Sequence, residues 1–81
     1  MKTSDLEARV RQVLTKSVGV PPEKITLDAK LVDDLGLDSV DLVELTIAAE
    51  REFDITISDE GMKESLTVAD VANLVKRLTD K

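Results

Sequence analysis

The sequence predicts an all-α fold: a small four-helix bundle with a long loop between helices one and two and a short third helix. Three observations carry this expectation. Apolar residues recur at helical spacing in three separate stretches, each stretch opens on a capping residue, and Gly19 with Pro21-Pro22 breaks the chain after the first. The one alternating run, Asp54 to Ile57, has no second strand to pair with, so it reads as extended loop with Ile55 or Ile57 tucked inward.

The first helix is expected from Ser4 to Ser17. Leu6, Val10, Val13 and Leu14 form one apolar stripe, Ser4 is the cap, and Glu7 completes a capping box. Arg9, Arg11 and Lys16 occupy the solvated face. Gly19 suits a helix stop, and the two prolines forbid continuation.

The connection from Val18 to Asp38 is long for a chain of 81 residues. Val20, Ile25, Leu27, Leu31, Val32, Leu35 and Leu37 are expected to pin it across the bundle, with a single helical turn at Pro22-Glu23-Lys24. Asp33-Asp34-Leu35-Gly36 lacks the alternating oxygen ligands and closing glutamate of a calcium loop, so no metal site is expected.

The second helix is expected from Ser39 to Phe53. At about 100° per residue, Leu42, Leu45, Thr46, Ala49 and Phe53 share the core face. Val40, Val43 and Ile47 fall on the opposite side, with Glu44 and Arg51 among them and Asp41 and Glu50 at the edges. Single exposed apolar residues are ordinary in small domains. Three in register beside Ser39, rimmed by charge, read as a docking patch.

A short third helix follows from Asp59 to about Lys63, weakened by Gly61. Thr67 and Asp70 form a cap-like pair for the last helix, whose core stripe is Val68, Val71, Ala72, Val75 and Leu78. Lys76, Arg77 and Lys81 stand where the helix dipole favours cations. Thr46 and Ala49 are small for core positions, a deficit that Met62 and Leu66 are expected to fill, while the Thr46 hydroxyl bonds back to the Leu42 carbonyl.

The stretch that the rest serves runs from Asp33 to Leu45, inside LVDDLGLDSVDLVEL. Gly36 permits a sharp turn and Asp38 is the N-cap candidate. If Asp38 caps the helix, the Ser39 hydroxyl stays free for chemistry. The stretch resembles the modification site of the acyl carrier proteins, and the likeness continues through Glu50, Phe53 and Ile55, then Ile57-Ser58-Asp59-Glu60 and Thr67-Val68-Ala69-Asp70-Val71. The resemblance implies a 4′-phosphopantetheine arm on Ser39, placed from coenzyme A by a phosphopantetheinyl transferase, with Asp38 beside it. It implies acyl chains carried as thioesters and docking of acyl-transfer and fatty-acid-synthesis-type enzymes on helix two, at Val40, Asp41, Val43, Glu44, Ile47, Glu50 and Arg51. Arg51 and Lys63 depart from the more uniformly acidic face common in that family.

Composition narrows the classes further. The chain has no histidine, cysteine, tryptophan or tyrosine, so the commonest general base, metal ligand and thiol nucleophile are missing, and neither a catalytic residue nor a disulfide is expected. The net charge is −6, and it is uneven: from Asp28 to Glu60 eleven acids meet only Lys30 and Arg51, a local −9, while the rest of the chain sums to +3. Such a field repels nucleic acid and anionic membrane and draws basic protein surfaces. No apolar run approaches the ~20 residues that span a bilayer, and the N-terminus lacks a signal-peptide core. One cytoplasmic, monomeric domain over residues 1–81 is therefore expected. Two rivals remain open: a polyketide, aminoacyl or peptidyl carrier with the same serine chemistry, and an unmodified acidic helical interaction module.

Overall fold

A computed structural model describes residues 2–79, and all four expected helices are present. Helix α1 spans Thr3–Val18, α2 spans Ser39–Phe53, α3 spans Asp59–Glu64 and α4 spans Val68–Thr79, with a 3-10 turn at Pro22–Lys24. Helix α1 packs against α2 and α4, which also touch each other. Their stripes close over one apolar cluster in which Leu6, Leu14, Leu31, Leu45, Val71 and Val75 are almost wholly buried.

Two ends of α1 differ in how they are built. The Ser4–Glu7 capping box does not form: the helix starts earlier, with Lys2 as N-cap and no side-chain capping bond. The Leu6 N–H donates to the Lys2 carbonyl at 3.0 Å, so Ser4 is already inside the first turn and cannot act as a cap. The other end stops as expected. Gly19 adopts the left-handed conformation, φ 76°, and returns its N–H to the Leu14 carbonyl.

The long connection is ordered by both side chains and backbone. Val20, Ile25, Leu31 and Leu37 are buried, as is Ala29, while Leu27 and Leu35 pack partly against the cluster. Val32 is not an anchor. It is 57 % exposed because residues 31–35 form a turn, closed by Asp34 and Leu35 N–H groups on the Lys30 carbonyl, that sends Leu31 inward and Val32 outward. The connection is also laced to the α3–α4 link: Leu31 N–H donates to Leu66 O at 2.9 Å, Val68 N–H to Ala29 O at 3.0 Å, and Ala69 N–H to Leu27 O at 3.0 Å. Lys30 and Thr67 form an antiparallel bridge pair there. Backbone groups in a half-buried loop need partners, and these strands of chain supply them to each other.

Past α2, Asp54 takes the left-handed conformation, φ 54°, a position an aspartate tolerates better than most residues. The turn sends Ile57 into the core and leaves Ile55 half-buried. Ser58 caps α3 by accepting the Gly61 N–H at 3.0 Å. Gly61 also has a packing role, since a Cβ there would stand 3.1 Å from Ser58 Oγ and 3.5 Å from Leu74 Cδ1. Helix α4 opens on the expected reciprocal pair: Asp70 N–H donates to Thr67 Oγ1 at 3.2 Å, and Asp70 Oδ2 accepts the N–H groups of Thr67 and Leu66 at 3.0 and 2.9 Å. Leu74 joins its buried stripe, while Leu78 is only half-buried. Lys81 lies outside the described residues.

Candidate functional site

The site is assembled at the N-terminus of α2 by the chain that leads into it. Gly36 turns through φ 69°, a value that favours glycine, and buried Leu37 donates its N–H to the Leu31 carbonyl at 3.0 Å. Asp38 then caps the helix. Its Oδ1 accepts the Asp41 N–H at 2.9 Å, and Asp41 Oδ2 accepts the Asp38 N–H at 3.3 Å. With the capping done by two aspartates, Ser39 is exposed, and its hydroxyl makes no hydrogen bond among the described residues. Among the described residues no base is paired with it, so the serine is displayed rather than self-activated.

The outward face of α2 is apolar where the angular plot places it. Val40 is 63 % exposed, Val43 58 % and Ile47 45 %, with Glu44 and Arg51 exposed among them. Asp41 and Glu50 are half-buried, and both carboxylates have structural work. Asp41 belongs to the cap. Glu50 Oε2 accepts the Ile57 N–H at 2.9 Å and so ties the 54–57 segment back to α2, a contact that no local pattern signals.

An apolar groove of about 360 Å³ opens beside Ser39, lined by Val43, Ile47 and Glu50 of α2, by Ile57, and by Met62 and Lys63 of α3. Thr46 also lines it, and its hydroxyl is satisfied by the Leu42 carbonyl at 2.8 Å. The expected filling of this region is only half right. Met62 is buried, but Leu66 is 67 % exposed, because its backbone is held out by bonds to Leu31 and Asp70 while its side chain faces solvent. Arg51 lines a separate hollow of about 400 Å³ against Gln12, Lys16 and Ser17 of α1. It does not line the groove beside Ser39.

An exposed, unpaired serine at a helix N-terminus suits covalent attachment of a phosphate ester, since free N–H groups and the helix dipole favour an anion there. The family model described as "Phosphopantetheine attachment site" matches residues 8–75. Acyl carrier proteins of Akkermansia muciniphila and Bdellovibrio bacteriovorus are each 40 % identical to the chain, the first over 96 % of the chain and 98 % of the relative, the second over 89 % and 92 %. The chain belongs to the acyl carrier protein family. Acyl carrier proteins bear 4′-phosphopantetheine covalently, and they are carriers rather than catalysts. The residues around Ser39 fit such a group: the hydroxyl is free, the start of α2 would favour its anion, and an apolar groove starts beside it. Among the described residues no helix is long and apolar enough to cross a membrane.

Proposed function

We propose that residues 1–81 act as one acyl-carrier domain whose Ser39 hydroxyl receives 4′-phosphopantetheine from coenzyme A through a phosphopantetheinyl transferase. The observation that carries this reading is the free Ser39 hydroxyl beside the Asp38–Asp41 cap. The arm supplies a terminal thiol on which acyl groups ride as thioesters. The chain's own residues do the rest: Asp38 and Asp41 hold the helix entrance, Val40, Val43 and Ile47 offer an apolar contact to visiting enzymes, and Glu44 with the neighbouring acids draws their basic surfaces.

The cargo that fits the groove beside Ser39 is an acyl chain, because Val43, Ile47, Ile57 and Met62 give it apolar walls. That favours work in fatty acid or related lipid biosynthesis in the cytoplasm, as a monomer that docks on one enzyme at a time. A polyketide, aminoacyl or peptidyl carrier shares the serine chemistry, but an aminoacyl group would bring its ammonium into these walls. The test is the intact mass of the protein recovered from its own cell with any thioester preserved. A straight-chain acyl adduct on the arm supports the proposal; an aminoacyl adduct contradicts it.

A further inference from the structure

The outward face of α2 changes sign along its length. Val40, Glu44, Ile47 and Arg51 follow one another at helical spacing and share that face. Its start, nearest Ser39, is acidic with Asp38, Asp41 and Glu44, whereas its far end carries Arg51. Glu44 and Arg51 are two turns apart, about 10 Å along the axis, against a screening length of about 8 Å at physiological salt. A visiting surface therefore meets two separate fields rather than their average.

Helix α1 strengthens the basic end. Its last turn brings Lys16 to the hollow of about 400 Å³ that Arg51 lines, together with Gln12 and Ser17. Short Val13 and Ala48 lie in the same lining and leave the gap between the helices unfilled. Lys16 and Arg51 are exposed, and among the described residues neither side chain makes an ion pair or a hydrogen bond. Glu52, the acid in that lining, lies 4.0 Å from Arg9 and so has a different cation beside it. The Arg51 fork matches a carboxylate, and the Lys16 ammonium, the Gln12 amide and the Ser17 hydroxyl add donors around it. Arg51 stands one turn beyond Ile47, so a protein resting on Val43 and Ile47 already overhangs the hollow.

We propose that Lys16 and Arg51 form an anion-selecting end of the docking face, taking an aspartate or glutamate carboxylate of a partner enzyme that is basic opposite Asp38, Asp41 and Glu44 and acidic opposite the α1–α2 hollow. This rests on docking along the outward face of α2. Such a partner is held in one orientation, with Ser39 at its basic side; a surface basic throughout is repelled by Lys16 and Arg51.

The test places a photo-crosslinking amino acid at position 12, on the rim of the hollow, or at position 43, on the apolar patch, in the full chain produced in its own cell. Mass spectrometry identifies the joined peptides, and the captured partner is purified for binding measurements. One partner is joined from both positions, and its peptide joined at position 12 contains an aspartate or glutamate. Arg51→Glu and Lys16→Glu, both at exposed sites, unfold where wild type does but each weaken binding about tenfold at low salt, a loss that shrinks as salt is raised. Changing the partner's acid to lysine restores binding to Arg51→Glu. Capture from one position alone overturns the proposal, as does an acid-free peptide at position 12 or a crosslink between two copies of this chain. Arg51→Glu that binds as tightly as wild type, or no recovery on the exchange, overturns it as well. No partner at either position overturns docking on α2 and this proposal with it, an outcome distinct from a partner that seats on Val43 and ignores Arg51.

Discussion

Asp38 and Asp41 cap one another's backbone: Asp38 Oδ1 takes the Asp41 N–H at 2.9 Å while Asp41 Oδ2 takes the Asp38 N–H at 3.3 Å. Two of the orphan donors at the start of α2 are satisfied without Ser39, which is why a serine in the first turn of a helix is left with its hydroxyl free. Acids so near Ser39 would oppose a phosphodiester placed there if charge alone decided. Because the carboxylates accept backbone N–H groups and Asp38 is exposed, screening limits that penalty.

Removing the cap should therefore weaken the fold. Asp38→Ala loses an N-cap acceptor and is expected to cost about 1 kcal/mol, a fall of about 4–8 °C in the midpoint for a domain of this size. Asp38→Asn keeps an oxygen acceptor and should lose only a small part of that. Thermal unfolding of the two variants checks the difference, and equal midpoints would argue against a capping role.

Asp70 makes the stability depend on acid. The Leu66 backbone N–H, then that of Thr67, hold its carboxyl below the ordinary aspartate value; partial burial works the other way, and the Thr67 hydroxyl adds to the lowering. A carboxylate depressed in the folded state binds its proton more readily when unfolded. Its contribution is thus complete above the unfolded value of about 3.9 and is lost as pH falls below that toward the lower folded value. Asp70→Ala should be less stable than wild type at neutral pH, by about 1 kcal/mol as for a lost cap, and the gap should narrow toward pH ~2. Unfolding midpoints measured across that range give the answer.

The local charge of −9 between Asp28 and Glu60 has a consequence for the whole domain. Added salt or magnesium screens the mutual repulsion and should raise the unfolding midpoint. A midpoint indifferent to both would mean that the acids are far enough apart for water to suffice.

The exposed apolar residues of α2 contribute little to the fold and should matter to partners. Val43→Ala with Ile47→Ala should leave stability within about 0.5 kcal/mol, since both sites are surface-exposed. The same pair should lower the kcat/KM of a docking enzyme about tenfold, roughly 1.4 kcal/mol of lost contact. Steady-state kinetics with a phosphopantetheinyl transferase would register either outcome.

What the sequence makes legible follows from range. The Ser39 to Phe53 helix, its Asp38 cap, the Thr67–Asp70 pair, the Thr46 back-bond and the outward set of Val40, Val43 and Ile47 all depend on residues a turn or less apart, and each is found as read. Contacts made across the fold are not. The Lys30–Thr67 bridge joins segments far apart in the chain, and the Glu50 bond to Ile57 depends on Asp54 turning left-handed. Hydrophobicity alone places Val32 and Leu66 in the interior, but it says nothing about the side of a turn on which a residue falls, and both are exposed. Ser4 carried a good capping pattern that lost to an earlier helix start at Thr3. For the site, the serine and its cap are local and readable, whereas the groove beside it needs α3 in place, and so Met62 and Lys63 emerge as lining residues only in three dimensions.

The most direct test is intact mass spectrometry of wild type and Ser39→Ala after incubation with coenzyme A, magnesium and a phosphopantetheinyl transferase. Wild type should gain the mass of one phosphopantetheine and Ser39→Ala none. No gain in wild type, or an equal gain in Ser39→Ala, would contradict the assignment of Ser39 as the attachment point.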